Sequence, residues 1–493
     1  MNIRTRFAPS PTGFLHIGGL RTALCSYAFA KSPASAEASA GEQGKFILRI
    51  EDTDQDRVVP GAAEKIYKLL RLFGLNWDEG PEVGGPHAPY IQSERVKMGI
   101  YQKYAQKLIA DGHAYYCFCP PKTEKEIKAD QEKKIIQLRD PCRNLSKEEV
   151  ERRLNAGQKA GIRLRVPEGE RVSFFDFVVK KEIVWETKDI DEVMLLKSDG
   201  FPTYHLAVTV DDAEMQISHV LRGHDWLPST PVHLLLFKYL GFPVPKIGHL
   251  TDILDPEGGK LSKRKGSVSC EEMLSEGYLP EAILNFIMLL GWAPKDNREI
   301  FSLPEFVENF QKGSLQIANP IFNRKKLDWF NGYYIRQKSD SELRSVIAGF
   351  SLRQKKSVIA GFSLRQNRVN EDILAKAIPL VKDRIVKLSD FSSLASFLWQ
   401  RPKVDLSLFG GLPYKDHLSE AISSLSKLSS WTNETIQTSL TSLISQKGWK
   451  TGDFFMSFRI ALSGSKFTPP ITESAAILGK EETLLRLENV LKV

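Results

Sequence analysis

The chain has 493 residues, enough for several domains at roughly 100–200 residues each. Its 42% hydrophobic and 26% charged residues are typical of a globular protein with sizeable cores. No apolar run approaches the ~20 residues of a membrane-spanning helix, and five cysteines in so long a chain argue against a secreted disulfide scaffold. The net charge of +8 favours a polyanionic partner, and without a signal-peptide pattern we expect a cytoplasmic protein.

The first elements of the chain predict a phosphate-binding turn. A short apolar strand, Ile3 to Phe7, leads through a loop rich in proline and glycine to a helical stretch. The residues that this helix should bury, judged by helical spacing, are Leu20, Ala23, Leu24, Tyr27 and Ala28. A helix N-terminus after such a turn favours anions, because backbone N–H groups and the helix dipole face the ligand. Gly18 and Gly19 leave room for a nucleotide, and His16 adds a hydrogen-bond donor.

The middle of the chain alternates strands and helices around a segment of different character. Short strands alternate with helices up to about residue 112, and this pattern resumes after about residue 195. The helices and strands predicted in this part of the chain are Gly61–Phe73, Lys122–Gln137, Ser146–Leu154, Val172–Val179, Glu182–Trp185 and Val232–Leu240. Their order predicts an α/β fold, a doubly wound (Rossmann-type) parallel-sheet catalytic domain with an α+β insertion.

A second segment with potential chemistry follows at residues 260–266, where lysine and arginine crowd a glycine-flanked loop. Such a loop suits a mobile clamp on a polyphosphate, although basic loops are more often only solvated. After about residue 335 the sequence is almost wholly helical, with breaks near Gly410–Pro413 and Pro469–Pro470. We therefore predict an all-α C-terminal half.

Two stretches look like insertions without a function. Residues 32–45 are of low complexity and predict a surface loop. The sequence of residues 345–354 is repeated identically at 357–366. Two short copies are too few for a solenoid, so we interpret them as a local duplication.

The two loops resemble the "HIGH" and "KMSKS" signatures of class I aminoacyl-tRNA synthetases. The first is His16-Ile17-Gly18-Gly19, and the second is Lys260-Leu261-Ser262-Lys263-Arg264. The flanking segments resemble the bacterial type of glutamyl-tRNA synthetase over nearly the whole chain. These segments are 4–13, 46–54, 202–207, 222–226, 229–231 and 477–480.

The resemblance implies an order of domains. A catalytic domain would comprise residues 1–112 and 196–250, interrupted by an acceptor-end-binding insertion at 113–195. A loop and stem-contact region would follow at 251–334, and a helical anticodon-binding region at 335–493.

The resemblance also implies the site residues. His16 and Lys263 would be catalytic. The ATP-binding residues would be Pro9, Thr12, Gly13, His16, Gly18, Gly19, Lys260, Ser262, Lys263 and Arg264. The amino-acid site would comprise Arg6, Ala8, Ser10, Glu51, Tyr204 and Arg222. Arg222 would hold the γ-carboxylate of glutamate and Glu51 its α-ammonium group. Without the resemblance, Glu51 would be interpreted as a solvated strand end and Arg222 as a member of a surface ion pair.

The implied activity is that of a glutamate–tRNA ligase that uses ATP with Mg²⁺, L-glutamate and tRNA(Glu), working as a monomer. Whether such an enzyme also charges tRNA(Gln) stays open. A glutaminyl-tRNA synthetase is the less favoured alternative, because its anticodon region should consist of β-barrels and not helices.

Three cysteines suggest a metal site. Cys117, Cys119 and Cys142 match a ligand set of some relatives, in which a His or Tyr completes the tetrahedron that structural zinc prefers. Asn144 and Leu138 stand where that fourth ligand would fall, so it is unknown. Two interpretations remain open: a bound zinc ion, or three reduced cysteines that are the remnant of a metal site.

Overall fold

The computed structural model describes residues 3–33, 43–120, 141–261, 269–311, 314–353 and 371–492. The predicted helix 122–137, most of the low-complexity insertion and most of the duplication lie outside these residues. The chain divides into two compact units. The first comprises residues 1–271 and 284–323, and the second comprises 272–283 and 324–493.

Parallel strand pairs form the centre of the first unit. Its strands are β1 (Arg4–Phe7), β2 (Lys45–Leu48), β3 (Ala114–Cys117), β4 (Gly161–Leu164), β5 (Arg171–Asp176), β6 (Lys181–Glu186), β7 (Met194–Leu196), β8 (His219–Gly223), β9 (Lys246–Leu250), β10 (Trp292–Ala293) and β11 (Ser314–Leu315). Strand β1 pairs in parallel with β2, and β8 pairs in parallel with β9. Strands β1 and β8 are adjacent, since the Ser218 N–H donates to the Arg4 carbonyl at 3.0 Å.

Helices connect these strands, as parallel strands require. The helices that begin in the first unit are α1 (Ile17–Lys31), α2 (Ala62–Leu72), α3 (Gln92–Lys97), α4 (Ile100–Ala110), α5 (Lys147–Asn155), α6 (Tyr204–Glu214), α7 (Thr230–Leu240), α8 (Cys270–Glu276) and α10 (Leu303–Asn309), while α9 (Pro280–Met288) crosses the division between the units. The predicted strand at the N-terminus and the helices around residues 61–73, 146–154 and 232–240 are confirmed to within two residues. Of the five residues predicted to be buried in α1, only Tyr27 is partly exposed.

The insertion contains an antiparallel sheet, β3-β4-β7, and a hairpin, β5-β6. The predicted strand 172–179 ends earlier, at Asp176. The carboxylate of Asp176 accepts the N–H groups of Val178 and Val179 at 2.9 and 3.0 Å, which turns the chain toward β6. The sheet shares one apolar core with the parallel-sheet domain, since Leu164 and Leu235 belong to the same buried cluster.

All the regular secondary structure in the described residues of the second unit is helical. Its helices are α11 (Arg324–Gln337), α12 (Asp340–Arg353), α13 (Glu371–Val381), α14 (Asp390–Ala395), α15 (Tyr414–Ser426), α16 (Asn433–Lys447), α17 (Thr451–Ser463), α18 (Ile471–Leu478) and α19 (Lys480–Leu491). The predicted breaks are confirmed: Gly410 ends a short 3₁₀ helix at Phe409, and Pro470 caps α18. The predicted combination of a parallel-sheet domain, an α+β insertion and a helical C-terminal half is thus confirmed. Within the described chain, no helix is long and apolar enough to span a membrane.

Candidate active site

A pocket of about 410 Å³ lies in the first unit, where the parallel strands β1 and β8 end. Ligands of doubly wound sheets bind at this edge, outside the carboxyl ends of the strands. The sequence-predicted residues that line the pocket are Arg6, Ala8, Pro9, Ser10, Thr12, Gly13, His16, Gly18, Gly19, Glu51, Tyr204, Arg222 and Lys260. Ser262, Lys263 and Arg264 lie outside the described residues. The structure therefore brings together every described residue of the predicted ATP and amino-acid sites.

Backbone pairing sets the first loop beside the end of β2. The Arg49 N–H donates to the Phe7 carbonyl at 3.0 Å, and the Glu51 N–H donates to the Pro9 carbonyl at 3.1 Å. This continues the β1–β2 pairing beyond both strands. Glu51 is consequently held directly opposite the loop, buried at 8% exposure, and is not a solvated strand end.

His16 is the N-cap residue of α1. Its Nδ1 accepts the Gly18 N–H at 3.0 Å, which satisfies one backbone donor of the first helical turn. A ring nitrogen that accepts carries no proton, so this contact assigns the proton of a neutral His16 to Nε2. The imidazole can therefore donate to a ligand through Nε2, next to the positive end of the helix dipole.

Two glycines suit this loop for different reasons. Gly13 has a φ of 141°, a conformation that L side chains rarely adopt. At Gly19 the backbone is ordinary, but a Cβ would come within 3.1 Å of the Leu15 side chain. The first glycine shapes the turn, and the second allows α1 to begin close to the loop.

The second loop is anchored next to the first at both ends. Before it, a tight hairpin brings the Leu261 N–H to the Ile253 carbonyl at 2.9 Å. After it, Ser269 forms an antiparallel bridge with His16. The Lys260 ammonium forms ion pairs with Asp225 and Asp252. Burial alone would lower the pKa of Lys260, but these two carboxylates outweigh it and raise the pKa.

Beneath the pocket, two buried arginines share two buried carboxylates. Arg49 bonds Glu51 at 2.8 Å and Asp212 at 2.8 Å, while Arg6 bonds Asp212 at 3.2 Å. Burial alone would raise the pKa of Asp212, but Arg6 and Arg49 outweigh it, so the pKa is lowered. For Glu51, burial outweighs the pKa-lowering effect of Arg49, so the pKa of this carboxyl is raised. These four charges balance one another in a medium where an unpaired ion is costly.

Arg222 differs from these arginines because its partners are neutral. It is 5% exposed and donates to His249, His233 and Thr230, at 3.0, 3.1 and 2.7 Å. Among the described residues no carboxylate forms an ion pair with it, so the interpretation as a surface ion pair is wrong. Burial lowers the pKa of Arg222. A buried cation that faces the pocket without an anion is suited to an anionic ligand.

An aromatic pair closes the side of the pocket next to Arg222. The rings of Tyr204 and Trp226 lie 4.1 Å apart between centroids, and both line the pocket. Burial raises the pKa of Tyr204 to about 12, so its hydroxyl stays protonated at neutral pH.

The three cysteines of the predicted metal site come together in the insertion. The Sγ atoms of Cys117, Cys119 and Cys142 all lie within 4.8 Å of one another. The Phe118 N–H also reaches the Cys142 sulfur at 3.4 Å. Three convergent thiols are a fitting part of a zinc site, and residues 121–140, which include Leu138, lie outside the described chain.

Sequence reasoning assigned no role to several residues that shape the pocket. Arg49 is visible in the sequence as a charge within the apolar run Phe46–Ile50, which is a signal for a buried ion pair. Asp212 gave no local signal, because its partner Arg49 lies 163 positions earlier. Asp225 and Trp226 line the pocket from a 3₁₀ helix after β8, and Asp252 lines it from the loop after β9, so their positions depend on the fold.

Comparison with known proteins identifies the family. Residues 2–329 match the family model of class I tRNA synthetases (E and Q), catalytic domain, and residues 351–491 match an anticodon binding domain. The chain is 39% identical to the glutamate–tRNA ligase of Treponema denticola, covering 100% of this chain and 99% of that one. It is 41% identical to the enzyme of Borreliella burgdorferi, with 99% and 98% covered. The crystal structure of a glutamate tRNA ligase from Elizabethkingia meningosepticum in complex with its amino acid matches with a TM-score of 0.82 at 33% identity, covering 100% of both chains. The chain therefore belongs to the glutamate–tRNA ligases, within the class I aminoacyl-tRNA synthetases for glutamate and glutamine.

Proposed function

We propose that this protein activates L-glutamate with ATP and transfers it to the terminal adenosine of tRNA(Glu). The observation that carries the proposal is Arg222, a buried cation with no carboxylate partner in the described part of the chain, in the same pocket as the His16 turn. An acidic amino acid and a nucleotide would then share one pocket. The full-length similarity to glutamate–tRNA ligases supports the same substrates, and no observation favours a glutaminyl-tRNA synthetase.

Glutamate would be held at both ends. Its γ-carboxylate would meet the guanidinium of Arg222. Its α-ammonium would meet Oε2 of Glu51, because Arg49 takes only the other oxygen of that carboxylate, at 2.8 and 3.3 Å. Arg6, Ala8, Ser10 and Tyr204 would complete the walls, as their positions along the pocket support. The α-carboxylate would then point toward the first loop.

ATP would lie along the two loops, with its phosphates at the N-terminus of α1. In the first step an α-carboxylate oxygen attacks the α-phosphorus, the bond to the bridging oxygen breaks, and pyrophosphate leaves. His16 Nε2–H and the backbone at Gly18 and Gly19 would hold the phosphates, and Lys260 and Lys263 would stabilise the leaving group. Pro9, Thr12, Gly13, Ser262 and Arg264 would bind the rest of the nucleotide.

Mg²⁺ would enter with ATP and neutralise charge on the phosphate oxygens. The acids that line the pocket are already engaged: Asp225 and Asp252 by Lys260, and Glu51 by Arg49. This donor set fits a cation carried by phosphates and water better than one held in a protein cage.

In the second step a hydroxyl of the terminal adenosine, the 2′-OH in class I enzymes, attacks the carbonyl carbon of the adenylate, and AMP leaves. The insertion, residues 113–195, would hold the acceptor end of the tRNA and residues 251–334 its stem. The helical region 335–493 would read the anticodon. The net charge of +8 supports a polyanionic partner.

Charging assays with purified tRNA(Glu) and tRNA(Gln), using labelled glutamate and labelled glutamine, test the proposal. Glutamate on tRNA(Glu) is the expected product, and glutamate on tRNA(Gln) as well would identify a non-discriminating enzyme. The change Lys263→Ala should abolish tRNA-dependent pyrophosphate exchange while tRNA binding is retained. Charging with glutamine in preference to glutamate would refute the proposal.

For the cysteine cluster we propose a structural zinc ion bound by Cys117, Cys119 and Cys142, with a fourth ligand still to be assigned. The close approach of the three sulfurs supports it. Metal analysis of purified protein, with a Cys142→Ser variant as the matched control, should give about one zinc per chain only in the unaltered protein. A zinc content near zero in both would exclude the site.

A further inference from the structure

Arg222 is set apart from the other buried arginines of the first unit by the charge of its partners. Arg6 and Arg49 pair with Asp212, and Arg95 pairs with Asp211 at 2.8 Å. Each of these cations has an acid within ion-pair distance. Arg222 is buried to the same degree, yet every side chain to which it donates a hydrogen bond in the described structure is neutral or held neutral.

The hydrogen-bond pattern assigns the protonation of both histidines. A guanidinium can only donate, so His249 Nε2 and His233 Nδ1 must accept from it. The proton of His249 is then on Nδ1, which donates to Asp176 Oδ2 at 2.7 Å. The proton of His233 is on Nε2, 3.3 Å from His205 Nδ1, which accepts it. Each ring has one proton and one lone pair, and each is oriented by a partner on its far side.

Burial favours the neutral form of both histidines, as the hydrogen-bond geometry does. It lowers the pKa of His233 far below its ordinary value, and Arg222 and His205 add to the effect. It also lowers the pKa of His249, although the hydrogen bond that His249 donates to Asp176 works against it. Both rings therefore stay neutral around Arg222 at physiological pH.

The orientation of the Arg222 guanidinium is therefore fixed, but its positive charge is not neutralised. Three of its five N–H donors go to His249, His233 and Thr230, which is enough to fix the plane of the guanidinium. Had one of these acceptors been an acid, the cation would already have its anion, as Arg6 has Asp212. A neutral side chain such as that of glutamine would then bind as well as a charged one.

We infer that His233 and His249 are positioning residues for substrate selection: as neutral acceptors they hold Arg222 while reserving its positive charge for an anionic amino-acid side chain. The inference rests on the proposed function, because it takes glutamate as the ligand of Arg222. It adds that selection against glutamine comes from the missing carboxylate behind Arg222 as much as from Arg222 itself. Asp176, on the insertion hairpin, acts indirectly, because it orients His249.

Two matched pairs of variants test this. His233→Glu and His233→Gln differ only in whether Arg222 gains a carboxylate, and Thr230→Asp and Thr230→Asn make the same comparison at the third acceptor. The measurement is pyrophosphate exchange with tRNA present, giving kcat and KM for glutamate and for glutamine. Thermal unfolding establishes whether each variant is folded. If a His233 variant is not folded, the comparison is made with the Thr230 pair.

In each pair we expect the acidic variant to have a KM for glutamate at least about tenfold above its neutral counterpart, with kcat and the KM for ATP much less affected. The preference for glutamate over glutamine should fall by at least a similar factor, about tenfold. Equal effects of the acid and the amide in both pairs would overturn the inference and leave a merely structural role. Failure of the unaltered protein to use glutamate would instead remove the proposed function itself.

Discussion

Asp212 shows how one side chain supports the floor of the pocket. It lies on α6, is buried, and bonds both Arg6 and Arg49, which come from β1 and the end of β2. Removing one member of a buried ion pair leaves the remaining charge in a medium that solvates it poorly. Asp212 lies 206 positions from Arg6 and 163 from Arg49, so this support exists only in the folded chain.

The change Asp212→Asn should therefore be strongly destabilising. We expect the free energy of unfolding of the first unit to fall by about 3–5 kcal/mol, because two arginines lose their shared charge partner. Urea unfolding followed by fluorescence measures this. The matched control is Glu186→Gln, which breaks the exposed Arg171–Glu186 pair and should cost less than about 1 kcal/mol. Similar losses in both variants would show that burial of the pair is not the cause.

His219 offers a test of burial against pH. Burial, assisted by Lys246, lowers its pKa to about 4, whereas an unfolded histidine titrates near ~6.5. Between these values the unfolded chain binds a proton that the folded chain does not. The contribution of His219 to the free energy of unfolding is therefore complete above pH ~6.5, and it is lost as the pH falls toward about 4.

A His219→Phe variant keeps an aromatic ring beside Phe29 and Phe177 but cannot titrate. Its stability should depend less steeply on pH between ~6.5 and about 4 than that of the unaltered protein. Urea unfolding at a series of pH values gives the two slopes. Parallel curves would mean that His219 takes up its proton in the folded protein as easily as in the unfolded one.

Local sequence is informative for the first loop because its residues act within a few positions of one another. The segment Pro9–Gly19 predicts a turn and the start of a helix, and both are present. The partners of Arg222 could not be predicted in the same way. His233 lies on a helix and His249 on a strand, and only the pairing of β8 with β9 places His249 opposite Arg222.

At the level of elements, the contact between the insertion hairpin and β9 links the insertion to the site. The Phe177 N–H donates to the Ile247 carbonyl at 3.3 Å, and Asp176 accepts the His249 N–H. Gly248 lies between these two contacts. A Cβ there would come within 2.6 Å of Val178 and 2.8 Å of Phe177, so glycine is what permits so close an approach.

We expect Gly248→Ala to push the hairpin away from β9. Overpacking of this kind costs about 1–3 kcal/mol, because buried side chains have little free space to move into. Urea unfolding measures the loss. The control is Gly223→Ala, whose Cβ meets nothing within 4 Å and whose φ of −65° suits any residue, so stability should change by less than about 0.5 kcal/mol. A neutral Gly248→Ala would mean that the hairpin shifts freely.

The whole molecule is built from two units that each bury a core of their own. In the described residues, Leu206 and Leu235 belong to the core of the first unit, and Phe454 and Phe458 to that of the second. Every residue that lines the pocket belongs to the first unit. The predicted pocket residues and the predicted helical half therefore fall in different units of the described structure.

Ligands of the pocket should accordingly stabilise one unit and leave the other unchanged. We expect two transitions in calorimetry. Glutamate and ATP, each at about 100 times its Kd, should each raise the stability of the first unit by about 2.7 kcal/mol, because they bind only its folded form. Phe458→Ala, which empties a fully buried site, should lower only the other transition, by about 3–5 kcal/mol. Leu235→Ala is the counterpart in the first unit and should lower the transition that the ligands raise. A single transition that responds to all three changes would mean that the two cores unfold as one cooperative unit.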